Sequence, residues 1–152
     1  MTSSREIEGF LQEMRLRFFS DNSSGACWTV HFQGGFLTIF LQEDGEYLLV
    51  RTSAFTQIPE KHGRCELLEA VLRRNDRIKV GRYVLSDDNV HFEAAIWLDG
   101  EAQLVLGQFN RLISTAAGAL STGRAAFEDD KSSSGPPSEL RERFSQTFRR
   151  LQ

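Results

Sequence analysis

Three short runs of alternating apolar and polar residues, joined by turns of a few residues, constrain the fold of this chain most. Ala26–Gln33 and Phe36–Gln42 are separated by two glycines, and Tyr47–Ala54 follows an Asp-Gly turn. Successive residues of a strand face opposite sides, and two-residue turns that contain glycine are typical of antiparallel hairpins. The sequence therefore predicts an antiparallel meander of three strands.

Helical periodicity and turn residues place the remaining elements around this meander. Ser3 and Glu6 have the spacing of a capping box, and the apolar pattern after them predicts a first helix over about Ser4–Leu16. Further predicted elements are a helix from near His62 to Arg77, strands at Arg82–Leu85 and Val90–Leu98, and a third helix that Asp99 caps. The order α-β-β-β-α-β-β-α lacks the alternation of parallel sheets and favours an α+β fold with a twisted antiparallel sheet.

Composition narrows the class of protein. The 152 residues, 40% hydrophobic and 26% charged, suit one globular domain. A net charge of −3 argues against a nucleic-acid binder, and no apolar run reaches the roughly 18 residues of a membrane span. No phosphate-binding loop, nucleophile elbow or metal-ligand spacing occurs, so we expect no cofactor and no metal. The separated Cys27 and Cys65, with no signal-peptide pattern, predict free thiols in a cytoplasmic protein.

Alternation within the strands separates two sheet faces of different composition. The face that helices one and three are expected to cover is apolar: Trp28, Val30, Phe32, Leu37, Ile39, Leu41, Leu48, Val50, Val90, Phe92, Ala94 and Ile96. The second face mixes polar residues with five large apolar ones, Phe36, Phe40, Tyr47, Leu49 and Trp97. Two interpretations are open: helix two packs on the second face, or the face is an interface with a subunit or a peptide.

The end of the chain differs from the predicted domain, which covers residues 1–127. Residues 128–137 are acidic and then rich in Ser, Gly and Pro, which predicts a linker. Residues 138–152 predict a short amphipathic helix, Glu139–Leu151, with one apolar stripe of Leu140, Phe144, Phe148 and Leu151. This tail helix could dock on the chain's own apolar face, bind a groove or an anionic membrane surface elsewhere, or have no role.

Three segments in the middle of the chain resemble the YbjN family: Glu66–Asn75, Lys79–Asp88 and Val90–Ala94. Leu106–Phe109 with Leu112 resembles the start of that family's last helix, and the likeness spans about Ser3 to Leu120. The family is similar in fold to type III secretion chaperones of the Tir type. The resemblance implies a bacterial, non-enzymatic protein, usually a homodimer, related to chaperones that bind extended client segments through apolar patches and strand edges.

The leading hypothesis is a chaperone- or adaptor-like module that captures an extended segment of a partner protein on the second face. The five apolar residues of that face are its predicted binding residues, with Trp97 and Tyr47 as anchors. The alternative is a regulatory protein whose tail helix carries partner binding or autoinhibition. A third hypothesis, an enzyme, needs His31, His91 and Glu93 to converge in one polar pocket.

Overall fold

A computed structural model describes residues 2–21, 26–42, 45–98 and 103–131, with the side chains of the last helix described as far as Gly123. Within these ranges the chain forms three helices and seven strands. In chain order they are α1 (Ser4–Glu13), β1 (Phe18–Asp21), β2 (Ala26–Phe32), β3 (Gly35–Gln42), β4 (Tyr47–Thr52), β5 (Thr56–Gln57), α2 (Arg64–Arg77), β6 (Arg82–Ser86), β7 (Asn89–Trp97) and α3 (Leu106–Lys131). None of these described helices is both long and apolar enough to cross a membrane.

The strands form one antiparallel sheet in which β7 pairs with three others. Strands β1 to β4 follow one another as a meander, and β4 pairs with the second half of β7, Glu93–Trp97. β6 pairs with the first half of β7 along the opposite edge, and the two-residue β5 continues the line of β4 beside Val90. The predicted α+β fold with an antiparallel sheet is confirmed.

The predicted capping box is present at the start of α1. The backbone N–H of Ser3 donates to Glu6 Oε2 at 2.7 Å, and the backbone N–H of Glu6 donates to Ser3 Oγ at 3.3 Å. The hydrogen bonds from the Ser3 backbone and side chain hold the pKa of the Glu6 carboxyl below its ordinary value. The helix ends at Glu13, three residues before the predicted end, and Arg15 then takes a left-handed backbone with φ of 57°.

Two strands were absent from the predicted order, and one hairpin is offset. β1 is a four-residue strand that ends at Asp21, and β5 has only two residues. The first hairpin loop is Gln33-Gly34, since Gly35 already pairs with Phe32. Elements this short carry too few alternating positions to give a periodic signal.

The predicted start of helix three is wrong. Asp99 lies outside the described residues, and α3 begins only at Leu106, so Asp99 does not cap it. The side chain of Gln108 instead accepts a hydrogen bond from the Val105 N–H at 3.3 Å. The helix extends to Lys131, so the first four residues of the predicted linker, 128–131, are helical. Charged residues do not by themselves end a helix, whereas Gly and Pro disfavour one. The stretch rich in Ser, Gly and Pro starts only at Ser132.

The core lies between one sheet face and helices α1 and α3. Every residue of the predicted core face belongs to the buried apolar cluster or packs against it. Phe10 of α1 and Phe109 of α3 meet above the sheet with ring centroids 5.5 Å apart. Trp28 is 1% exposed, and its indole N–H donates to Glu8 Oε1 at 3.1 Å, which satisfies the polar atom of a buried aromatic residue.

Helix α2 packs beside the edge strand β6. Val71 joins the core, and the Arg74 guanidinium lies 5.6 Å from the centroid of the Tyr83 ring. The Asn75 side chain makes the two hydrogen bonds that a neighbouring strand would make to Tyr83. Its Nδ2 donates to the Tyr83 carbonyl at 2.8 Å, and its Oδ1 accepts from the Tyr83 N–H at 2.6 Å. One side chain therefore satisfies both backbone groups of an edge-strand residue.

Replacing Asn75 by Ala should destabilise the fold by about 2 kcal/mol, because partly buried backbone groups of Tyr83 lose both partners. Urea unfolding of the two proteins measures this difference. Arg73→Ala is the control, since it removes only an exposed pair with Glu69 one helical turn away and should cost about 0.5 kcal/mol or less. Equal losses for the two variants would contradict the bridging role of Asn75.

Candidate functional site

The second face of the sheet carries large apolar side chains that the described helices leave uncovered. None of the five predicted binding residues, Phe36, Phe40, Tyr47, Leu49 and Trp97, belongs to the core cluster or packs against it. Phe36 is 40% exposed and Trp97 is 59% exposed. Helix α2 packs along β6 instead of on this face, so the interpretation that helix two covers the second face is wrong.

Strand register arranges the side chains of the second face in rows across the sheet, because directly opposed residues share a face. An apolar row joins Cys27, Phe40, Leu49 and Ala95. A polar row beside it joins Thr29, Thr38, Arg51, Glu93 and Arg82. On the other side of the apolar row, Tyr47 of β4 lies opposite Trp97 of β7. The apolar row therefore lies between an aromatic pair and a charged row.

The aromatic pair forms one end of an open groove, which we call the Trp97 groove. The ring centroids of Tyr47 and Trp97 are 4.5 Å apart. The groove has a volume of about 380 Å³ and is lined by Tyr47, Leu49, Gly81, Arg82, Glu93, Ala95 and Trp97. β6 begins at Arg82, opposite Glu93, so the outer edge of β7 beyond Glu93 has no partner strand among the described residues. An apolar floor and a free strand edge thus lie side by side.

Gly81 lines one rim of this groove with backbone atoms alone. Its φ of +81° is left-handed, and a Cβ atom there would lie 2.7 Å from the Glu93 carbonyl oxygen and collide with the Phe92 ring. Only glycine adopts this conformation without strain and tolerates so close an approach to β7. The backbone at Gly81 therefore packs directly against β7 where β6 begins.

The charged end of the groove is built around one buried carboxylate. The Glu93 side chain is 8% exposed, and Arg51 donates to its Oε1 from Nε at 2.6 Å and also from Nη2. Arg82 Nη2 lies 3.7 Å from Glu93 Oε2, with 70% of the Arg82 side chain exposed. Two guanidinium groups surround one carboxylate, so this cluster has a net positive charge, and most of the Arg82 guanidinium faces solvent.

The structure separates the predicted binding residues into two places. Tyr47, Leu49 and Trp97 line the Trp97 groove, and Phe40 adjoins it as the direct neighbour of Leu49. Phe36 lies elsewhere, with its ring centroid 6.0 Å from that of His31. On the other side of His31, at 5.7 Å, is Phe19, which is 66% exposed.

Sequence reasoning missed four residues of these two patches: Phe19, Gly81, Arg82 and Ala95. Phe19 was missed because β1 was not predicted as a strand. Gly81 and Arg82 enter the groove only through the pairing of β6 with β7, and a single sequence does not show which strands pair. Ala95 was the one position whose face could have been derived, from its alternation with Glu93 and Trp97.

His31 lies far from the other two residues that the enzyme hypothesis needs, His91 and Glu93 of β7. His31 lies on β2 and Glu93 on β7, with β3 and β4 between them, so about 14 Å of sheet separates them at about 4.8 Å per strand. His91 Nδ1 lies 2.9 Å from the Thr52 carbonyl oxygen, which gives it a structural partner. Burial, and to a lesser extent the charge of Asp21, raises the pKa of the Cys27 thiol. No group of three possible metal ligands occurs among the described residues.

The predicted tail-helix residues Leu140, Phe144, Phe148 and Leu151 lie outside the described residues. Their apolar stripe stays a prediction from the sequence.

The chain belongs to the YbjN family. The family model, described as "Putative bacterial sensory transduction regulator", matches residues 3–129. The predicted family resemblance is confirmed. A search of curated proteins finds no match to this sequence.

Solved structures show the same fold at low sequence identity. YbjN from E. coli matches with a TM-score of 0.60 and 11% identity over 79% of this chain and 87% of that chain. The HopA1-SchA chaperone–effector complex matches with a TM-score of 0.57 and 12% identity, over 80% of this chain and 94% of that chain. The Yersinia pestis type III secretion chaperone SycH, solved with a stable fragment of YscM2, matches with a TM-score of 0.54 and 16% identity, over 80% of this chain and 98% of that chain. The fold of this chain is therefore that of type III secretion chaperones, as predicted.

Removing the buried carboxylate of the groove should destabilise the protein far more than removing its exposed partner. Glu93→Ala leaves Arg51 without its charged hydrogen-bond partner and should cost about 2 kcal/mol. Arg82→Ala removes a long, exposed ion pair and should cost about 0.5 kcal/mol or less. Chemical unfolding of both variants measures the two costs, and a loss on Arg82→Ala as large as on Glu93→Ala would contradict the assigned geometry.

Proposed function

We propose that this chain is a non-enzymatic, chaperone- or adaptor-like module that captures an extended segment of a partner protein in the Trp97 groove. The observation that carries the proposal is the exposed Trp97, 59% accessible beside Tyr47 and above an apolar floor that no described helix covers. Large apolar surface left open on a folded domain usually marks a binding site.

The groove suits an extended peptide better than a globular surface. Tyr47 and Trp97 supply rigid aromatic area with polar tips, the features of residues that dominate binding energy. The free edge of β7 beside them can pair with the backbone of an added strand. Arg82 faces solvent at the far end and can pair with an acidic residue of the partner. An extended peptide in the groove could therefore be recognised by its backbone, by its apolar side chains and by an acidic side chain.

The structural relatives support a protein partner. The HopA1-SchA structure is a chaperone–effector complex, and SycH is solved with a stable fragment of YscM2. His31 is separated from His91 and Glu93 by two intervening strands, and His91 has a backbone partner, which supports a non-enzymatic role. Phe40, next to the groove, and Phe36, in the separate aromatic patch, are proposed as further contacts along the second face.

We also propose that the protein is a cytoplasmic homodimer. Both cysteines, Cys27 and Cys65, are free, as is usual in a reducing compartment. Exposed Leu72 on α2 and Leu85 on β6 provide apolar surface outside the groove for a second copy. Light scattering on the purified chain tests the dimer, and a mass equal to a single chain at micromolar concentration would contradict it.

Trp97→Ala should weaken partner binding by about 2 kcal/mol, roughly 30-fold, because it truncates the central aromatic anchor of the groove. Its stability should change little, since the side chain is largely exposed. Quantitative affinity capture from native lysate, with wild type and variant at equal concentration, measures the loss for each captured protein.

The matched control is Val105→Ala, which truncates another exposed apolar residue, 55% accessible and outside the groove. It should keep every partner at the wild-type level. If Trp97→Ala also keeps every partner, the Trp97 groove is not the binding site.

A further inference from the structure

We propose that the outer edge of β1 pairs with β1 of a second copy of this chain, antiparallel and about a two-fold axis at Phe19. This contact goes beyond the capture of a partner in the Trp97 groove and does not depend on it. Three features of the edge argue for a second copy as its occupant: an open strand edge, an exposed aromatic cluster, and a charge pattern that complements its own reverse.

The outer edge of β1 is open to another strand. β1 lies at one end of the sheet, and β2 is the one described strand that pairs with it. A strand edge is a template for pairing with another chain, and proline and lysine are the residues that most often block such pairing. The four residues of β1 include neither. The backbone of this edge can therefore accept an added strand.

An aromatic cluster lies on the second face at this edge. Phe19 is 66% exposed and lies opposite Thr29 of β2. Its ring meets the His31 ring edge-on with the centroids 5.7 Å apart, and the Phe36 ring lies 6.0 Å from the other side of His31. With Phe19 on the two-fold axis, the same residue of the second copy lies directly opposite, and cross-strand aromatic pairs of this kind stabilise a sheet.

The charges on either side of Phe19 are self-complementary. Arg17 precedes β1 directly and is exposed, whereas its neighbours Leu16 and Phe18 pack against the core. Arg17 therefore shares the second face with Phe19 and Asp21. In an antiparallel pair centred on Phe19, position 17 of each copy lies opposite position 21 of the other. Directly opposed residues share a face, so an Arg–Asp pair forms on each side of the two phenylalanines.

This contact is separate from the apolar surface around Leu72 and Leu85. That surface lies on α2 and β6, and β6 pairs with the far side of β7, at the other end of the sheet from β1. A second copy bound there leaves the β1 edge open. An experiment on the β1 contact must therefore respond to the charges at positions 17 and 21, and not to molecular mass alone.

Charge reversal provides such an experiment. Arg17→Asp opposes acid to acid across the two-fold axis, and Asp21→Arg opposes base to base. Each full-length variant should self-associate roughly 30-fold more weakly than the wild type, because two attractive cross-strand pairs become repulsive. An equimolar mixture of the two variants restores both attractive pairs and should associate to within about threefold of the wild type.

Fluorescence energy transfer measures the association. Donor or acceptor dye is attached at the exposed Cys65, while the other thiol, Cys27, is buried, and titration of the labelled chains gives each dissociation constant. The matched control is Arg111→Asp, which makes the same change of charge at an exposed position on α3 and should associate as the wild type. The advantage of the mixture over either variant alone should shrink in about 1 M salt, which screens exposed charges. Circular dichroism checks that each variant keeps its fold.

Three results would overturn the proposal: no energy transfer between wild-type chains, equal transfer in the mixture and in each variant alone, or the same 30-fold loss on Arg111→Asp. Loss of a captured partner from Arg17→Asp, with self-association as in the wild type, would assign the β1 edge to that partner instead. No partner is present in the mixtures, so they can fail while partner binding in the Trp97 groove holds, and the reverse.

Discussion

The packing of all described helices toward one face of the sheet is the constraint on which the rest of the structure depends. Helices α1 and α3 meet over that face through Phe10 and Phe109, and α2 is held beside β6 by the two hydrogen bonds of Asn75 to Tyr83. Because every described helix packs on that side, the large residues of the second face stay outside the core cluster. An antiparallel sheet permits this, because it does not need layers on both faces.

The distribution of phenylalanine illustrates the consequence. The chain has 12 Phe but only two Trp and two Tyr. Six of the phenylalanines belong to the core cluster or pack against it: Phe10, Phe18, Phe32, Phe55, Phe92 and Phe109. Phe19, Phe36 and Phe40 lie on the second face. A solvated sheet face usually carries mostly polar residues, so the large apolar residues at these positions are the reason for the binding proposal.

Long periodic elements could be predicted from the sequence, and the way they come together could not. The alternation in β2, β3 and β4 identified the core face correctly, and Val30 and Ile39 lie in the core. The signal is strong because shifting a strand by one residue would move all its apolar side chains to the other face. The short β1 and β5 gave no signal, and the start of α3 was misplaced by several residues because Asp99 is a favourable cap by composition alone.

The candidate site could likewise be predicted only in part from the sequence. Tyr47, Leu49 and Trp97 were predicted from strand alternation, and the register places all three in one groove. The charged end was not assembled from the sequence, since Arg51, Glu93 and Arg82 come from three strands whose pairing depends on the tertiary fold. The position of α2 beside β6, which leaves the second face open, likewise depends on tertiary contacts such as Asn75 with Tyr83.

Site-specific photo-crosslinking tests the central claim most directly. A photoreactive side chain is placed either at Ala95, on the floor of the Trp97 groove, or at Val105, an exposed position outside the groove. A partner protein should be crosslinked from position 95, through a short contiguous peptide, and should not be crosslinked from position 105. Crosslinks to the partner from position 105 alone would contradict the proposed binding site.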